Sequence, residues 1–186
     1  MALQAANRQL TGLRPVNNGV AGTTPRVREY AVSATYATTI GEGNVVSKST
    51  IGVIAYNGTN AVRVIVGVAA SNLKASPGTG AVIQVYDDPD QEFVAVGNTA
   101  VTAANAIAYV GRFCNLVSNV YNGTLGYGKT TIAVDSVTSV AAAGEILQIV
   151  RVEKIVGNTN TSSFTQFRVK IASHHHIYSS ALTTRI

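Results

Sequence analysis

The chain has 186 residues and a formal net charge of +5, and only 12% of its residues are charged, about half the usual share. Its single cysteine, Cys114, excludes an internal disulfide and a Cys-based zinc site, and a body this long buries roughly 70% of its unfolded surface and needs neither. The most apolar stretch, residues 61–70, is about half a membrane span and contains Arg63, so no membrane partner is expected, and no apolar run of leader length follows Met1.

Residues 1–28 hold Arg8, Arg14, Arg26 and Arg28 and no acidic residue, so they supply +4 of the +5; the other ten basic and nine acidic side chains nearly cancel. Pro15, Pro25, Gly12, Gly19 and Gly22 interrupt the segment, which has no regular apolar period. It reads as an extended basic N-terminal arm, residues 1–29, ahead of a β-rich body, residues 30–186. The four arginines are its candidate partner-binding residues, because a guanidinium meets a neighbour's carboxylate through two parallel hydrogen bonds. The arm is expected to add little to the core of the body.

Val, Ile and Thr total 59 residues against eight Leu. β-Branched side chains are stiff at χ1 and suit a pleated sheet, and Asn57-Gly58, Pro77-Gly78, Gly97-Asn98, Asn122-Gly123 and Gly157-Asn158 punctuate the short apolar runs. In chain order, strands are expected over 51–56, 62–68 (Val at every second position), 81–86 and 92–96. Residues 100–108, rich in alanine, suit a short helix. Residues 145–156 form a strand long enough to bend or to be shared between two sheets. Phe167, Val169 and Ile171 alternate with Gln166, Arg168 and Lys170, a half-buried strand with one wet face. The fold class is all-β, a compact barrel or sandwich body with a candidate division into two lobes at residues 97–112.

The motifs argue against an enzyme. Gly123 to Thr130 satisfies G-x-x-x-x-G-K-T, but a phosphate-cradling loop joins a strand to a helix, and Thr131-Ile132-Ala133-Val134 is a β-branched run instead. A glycine-rich hairpin accounts for the same residues. Asp87, Asp88, Asp90 and Glu92 hold four of the nine acids; they read as a charged Pro-containing turn, lack the glycine and distal glutamate of an EF-hand loop, and are candidates to meet an arginine of a neighbouring copy. His174-His175-His176 has no other histidine to complete a metal site within the chain. Cys114 reads as core, and no dispersed base exists for a nucleophile. Neither catalytic residues nor a cofactor or metal are expected.

The Gly-rich run Ile40-Gly41-Glu42-Gly43-Asn44-Val45-Val46, the Val-rich strand 62–68, the acidic turn Val85-Tyr86-Asp87-Asp88-Pro89-Asp90-Gln91-Glu92-Phe93 and the strand from Phe167 to His174 together resemble head auxiliary (decoration or cement) proteins of tailed bacteriophages. The likeness covers residues 40–176 in style and spacing. It implies a small β-domain on the outside of an assembled capsid that bridges major capsid protein subunits and reinforces the shell, without a cofactor. It also implies copies of itself as partners, the homotrimer first. The protein would then be made in the host cytoplasm and reside on the virion. The scarcity of charge suits a surface covered by neighbours, although an uncharged polar surface explains it equally. A receptor-binding or fibre-like virion module is the alternative. A nucleic-acid-binding β-barrel ranks lower, because the body has no basic stripe interleaved with aromatic platforms.

Overall fold

The computed structural model describes residues 12–16, 25–49, 52–56, 64–99, 101–124, 126–139, 145–153 and 165–172. It is nearly all β, with 50% strand and 4% helix. Among the described residues the strands are β1 (Arg14–Pro15), β2 (Val27–Ala31), β3 (Val45–Ser49), β4 (Gly52–Ala55), β5 (Ile65–Ala69), β6 (Val82–Tyr86), β7 (Glu92–Gly97), β8 (Phe113–Cys114), β9 (Leu116–Asn122), β10 (Tyr127–Ile132), β11 (Leu147–Val152) and β12 (Gln166–Ile171), and one helix, α1, spans Ala103–Ala108.

These strands form two sheets. The five-stranded sheet runs β2-β6-β5-β3-β4 and is antiparallel throughout. It curls back on itself, because a parallel bridge joins Val32 to Val53. Gly52 permits that closure, since a Cβ there would lie 2.5 Å from the Ala31 carbonyl oxygen. The seven-stranded sheet runs β8-β11-β12-β7-β10-β9, with β1 lying on β7 as well. β7 is its hinge: β12 pairs antiparallel along one edge, while β1 (at Phe93–Val94) and β10 (parallel, at Val96–Gly97) divide the other.

Both faces of the curled sheet are covered, which explains why β5 is buried at all five residues rather than at alternate ones. Val45, Ile65 and Val68 join Phe93, Ile132, Leu147 and Phe167 in the core between the sheets. Their strand neighbours Val46, Val66 and Ala69 join Val32, Ile40, Val53, Ile83 and Val85 in a second cluster inside the curl. Each such valine, leucine, isoleucine or phenylalanine contributes roughly 1.5–3 kcal/mol on full burial.

The expected lobe division at residues 97–112 is not where the architecture changes. The chain leaves one sheet at Tyr86 and enters the other at Glu92, so the switch is the acidic turn itself, with Tyr86 and Phe93 packed edge to face at 6.4 Å across it. Residues 97–112 instead carry the crossover between β7 and β8 of one sheet, where Thr102 caps α1 by accepting from the Asn105 N–H at 3.2 Å. Because one core takes side chains from both sheets, the described residues make a single body.

Two strand details also differ from expectation. β11 stays in one sheet and takes up its bend as a bulge between Ile149 and Arg151; residues 154–156 lie outside the described residues. Gln166, expected on the wet face of β12, is buried at 1% exposure, because the N-terminal segment and Glu153 border that end of the strand.

Candidate functional site

The basic arm and the acidic turn, far apart in sequence, come together within one chain. Asp87 sits at the end of β6 with its side chain fully buried. One carboxylate oxygen accepts from Arg26 Nε at 2.9 Å and the other from the Tyr30 hydroxyl at 2.8 Å. Arg28 Nε stands 3.5 Å away, and Arg26 Nη2 also reaches the Asp87 carbonyl at 3.1 Å. Strand register explains the convergence: β2 runs antiparallel to β6 with Val27 opposite Tyr86, so Arg26, just ahead of β2, falls beside the residue that follows β6, and Arg28 and Tyr30 lie on the same face of the strand as Arg26. Asp87 is therefore closed to a neighbouring copy.

The turn fastens the arm a second time. The Val16 N–H donates to the Glu92 carbonyl at 2.9 Å, and the buried Gln91 amide donates to the Val16 carbonyl at 2.8 Å. Leu13, 1% exposed, is a core residue, and its N–H donates to the Gly43 carbonyl at 2.9 Å. Gly12 and Gly43 cross so closely that a Cβ on Gly12 would lie 2.5 Å from Gly43 Cα, and Gly43 itself has φ +86°. The expectation of an arm outside the core is thus corrected for these residues: a leucine and a two-residue strand give no periodic signal, yet backbone pairing and burial make them part of the body. Arg14, in β1, is exposed and borders an open depression of about 480 Å³ with Glu153 and Arg168. Arg8 lies outside the described residues.

Of the other acids in the turn, Asp88 and Glu92 are also engaged, while Asp90 is exposed. Asp88 closes the turn by accepting from the Asp90 N–H at 2.9 Å. Glu92 faces Arg168 at 3.5 Å and Arg151 at 3.9 Å, and Arg168 also pairs with Glu153. Hydrogen bonding to Glu153, with its charge, pushes the Arg168 guanidinium pKa upward, against the effect of burial. Among the described residues no three His, Cys, Asp or Glu side chains converge as metal ligands; His174–His176 lie outside them.

The phosphate-loop look-alike is the β9–β10 hairpin and the first part of β10. Lys129 lies on β10 opposite Val120. Thr130, the position that would hold magnesium in a phosphate loop, is buried, and its single hydroxyl proton is shared between the Gly43 carbonyl and Asn119 Oδ1, both at 3.0 Å. Gly128 is needed for close approach, as a Cβ there would lie 2.6 Å from Asn44 Nδ2 and 2.8 Å from the Glu42 carbonyl oxygen.

That crossing exposes a cluster that sequence reasoning missed. Asn119, on β9, donates to the carbonyls of Val45 and Tyr56 at 2.8 and 2.7 Å. Its Oδ1 accepts from the Val45 N–H, Asn44 Nδ2 and Thr130 Oγ1 at 2.9, 3.1 and 3.0 Å. One side chain thereby joins both sheets. The available signal was an asparagine in mid-strand, a position where this residue is depleted.

Cys114 is buried, and burial, with the Glu145 charge behind it, pushes its thiol from 9.0 up to about 12; burial and the bond to Asp87 raise Tyr30 from 10.0 to about 12. Both groups hold their protons more tightly in the fold, so their contribution is complete below the unfolded pKa and is lost as pH rises through the folded one. The urea midpoint is therefore expected to stay level from neutral pH to about 9 and fall between about 9 and 12, with Cys114→Ser delaying the onset. A midpoint level to pH 12 would contradict this assignment.

Val117 and Val120 are the exposed apolar residues of β9, at 57% and 54%. They border a groove of about 470 Å³ whose other bank includes Tyr36, Ile54 and Tyr56, with no charged side chain in its lining. Comparison with protein-family models, with curated proteins and with solved structures found no match.

Proposed function

We propose that this chain is a virion structural protein of the decoration or cement type, binding the outside of an assembled capsid shell and bridging neighbouring major capsid subunits. The observation that carries the reading is how its charged groups are used. The glycine run Gly41–Asn44 and the acidic turn, two of the segments that resemble head auxiliary proteins, both fasten the N-terminal segment to the body. Among the described residues, the surfaces left to meet partners include the uncharged, valine-bearing strand β9 and the exposed Arg14. Such a surface suits broad contact with neighbours rather than turnover of a substrate, and many weak contacts raise avidity when copies are arrayed.

The test uses shells assembled from the major capsid protein of the same virus without this chain. Adding the purified protein is expected to decorate the outer surface at regular positions and to raise the melting temperature of the shell. Combining a deletion of residues 2–11 with Arg14→Ala should weaken decoration, more at low salt than at high salt, while the body itself melts within a few degrees of the parent. Shells that stay bare at high micromolar protein would sink the proposal. Saturable, salt-dependent DNA binding in their place would favour the nucleic-acid reading.

A further inference from the structure

Open strand edges invite another chain to pair, and proteins guard them with charge, proline, shortness or cover. In the described residues most edges are guarded. β8 has two residues, and Phe113 is bridged to Thr138; β1 has two and includes Pro15. β2 carries Arg28 and Glu29. β4 is met by the bridge from Val32, and its Ala55 N–H donates to the Tyr36 hydroxyl at 3.0 Å. β9 differs: its seven residues, Leu-Val-Ser-Asn-Val-Tyr-Asn, include no charge and no proline, and it pairs only with β10.

The ladder identifies which backbone groups face that edge. Gly128 stands opposite Tyr121 but gives its N–H to the Glu42 carbonyl at 2.8 Å, so Gly128–Tyr121 is a non-hydrogen-bonded pair. Such pairs alternate with bonded ones in an antiparallel ladder. Val120 therefore exchanges bonds with Lys129, while Asn119 and Tyr121 turn their N–H and C=O groups to the open side.

We propose that β9 pairs antiparallel with β9 of a second copy about a two-fold axis through Val120. In that register Asn119 and Tyr121 of one copy exchange N–H···O bonds with Tyr121 and Asn119 of the other, and the two Val120 side chains face each other. Copies with net charge +5 repel, and this edge lets them meet without juxtaposed charge. Lys129, opposite Val120 in each copy, would stand three strand spacings of about 4.8 Å from its counterpart, beyond a Debye length of about 8 Å. A ring such as the trimer needs a second, complementary surface, and no other edge of the described residues is open along comparable length. The inference concerns the protein alone in solution and does not depend on the capsid reading.

Sedimentation of the full chain from low to high micromolar concentration is expected to give a dimer. Val120→Lys, which sets two ammonium groups against each other at the axis, should weaken it at least about tenfold, or 1.4 kcal/mol, whereas Val120→Thr and Val82→Lys, the latter at an exposed residue of β6, should not. Val120→Cys should oxidise to a linked dimer, because non-hydrogen-bonded pairs bring Cα atoms to about 4.5 Å, within disulfide range, and Cys114 is buried. Thermal melts matching the parent keep each variant interpretable as folded. A monomer throughout, a trimer, a dimer indifferent to Val120→Lys, or a Val120→Cys protein that stays unlinked would each overturn the proposal.

Discussion

Asn119→Ala is expected to melt well below the parent chain, by roughly 6–12 °C for a loss of about 3 kcal/mol in a chain of this length. The substitution deletes a small side chain, so lost apolar burial is minor; the cost lies in the groups left behind. The Val45 N–H loses its side-chain acceptor, and the Tyr56 carbonyl loses a donor at 2.7 Å. A buried polar group without a partner costs about 1–3 kcal/mol. Asn119→Asp should do no better despite its nearly identical shape, because a carboxylate keeps the acceptor but sets negative charge against the Val45 and Tyr56 carbonyls. Asn44→Ala, removing a partner of the same cluster, should combine with Asn119→Ala to less than the sum of the two. A melt within two degrees of the parent, or a tolerated Asp, would mean that the sheets are held by their apolar core alone.

The second large effect falls on Asp87. Asp87→Ala removes the shared acceptor of Arg26 and Tyr30 and the counter-charge of Arg28. Breaking a buried ion pair costs about 3–5 kcal/mol. Here the arginines are 42% and 53% exposed and can turn to water, so about 2–3 kcal/mol is the expectation. The loss should appear first at β2, as faster hydrogen exchange over Val27–Ala31 and easier proteolysis ahead of it. Asp87→Asn separates charge from hydrogen bonding. Tyr30 can still donate to the amide oxygen, but its phenol pKa, followed by tyrosine NMR, should drop from about 12 and remain above 10.0, since burial is the larger cause of the shift. Unchanged exchange at β2 in Asp87→Ala would show that strand pairing with β6 suffices and that the ion pairs are incidental.

The elements legible in advance were those whose cause is local. A β-branched run prefers a strand wherever it sits, so β4, β6, β7 and β12 follow from composition and period two. Alanines after a threonine cap make α1 a short helix for equally local reasons. Rejecting the phosphate loop was also a local inference, because Thr131-Ile132-Ala133-Val134 favours extended backbone over the required helix, and the hairpin of β9 and β10 agrees.

What sequence could not disclose depends on which distant strands meet. Gln91 holds Val16 across a separation of 75 positions, and Asn119 holds Val45 across 74; neither pairing leaves a periodic trace in either segment. Arg14-Pro15 is a strand only because β7 offers it a backbone edge. The acids of residues 87–92 look like a charged surface turn until β2 brings Arg26, Arg28 and Tyr30 to Asp87 and makes that carboxylate a buried anchor. Whether an asparagine is a solvated loop residue or the bond between two sheets is settled by which carbonyls fold against it. Composition thus sets the kind of backbone, since χ1 stiffness and turn chemistry act within a few residues. Sheet membership, open edges and the partners of each charge are settled by the packing of the curled sheet on its neighbour, where most buried polar groups must find a partner.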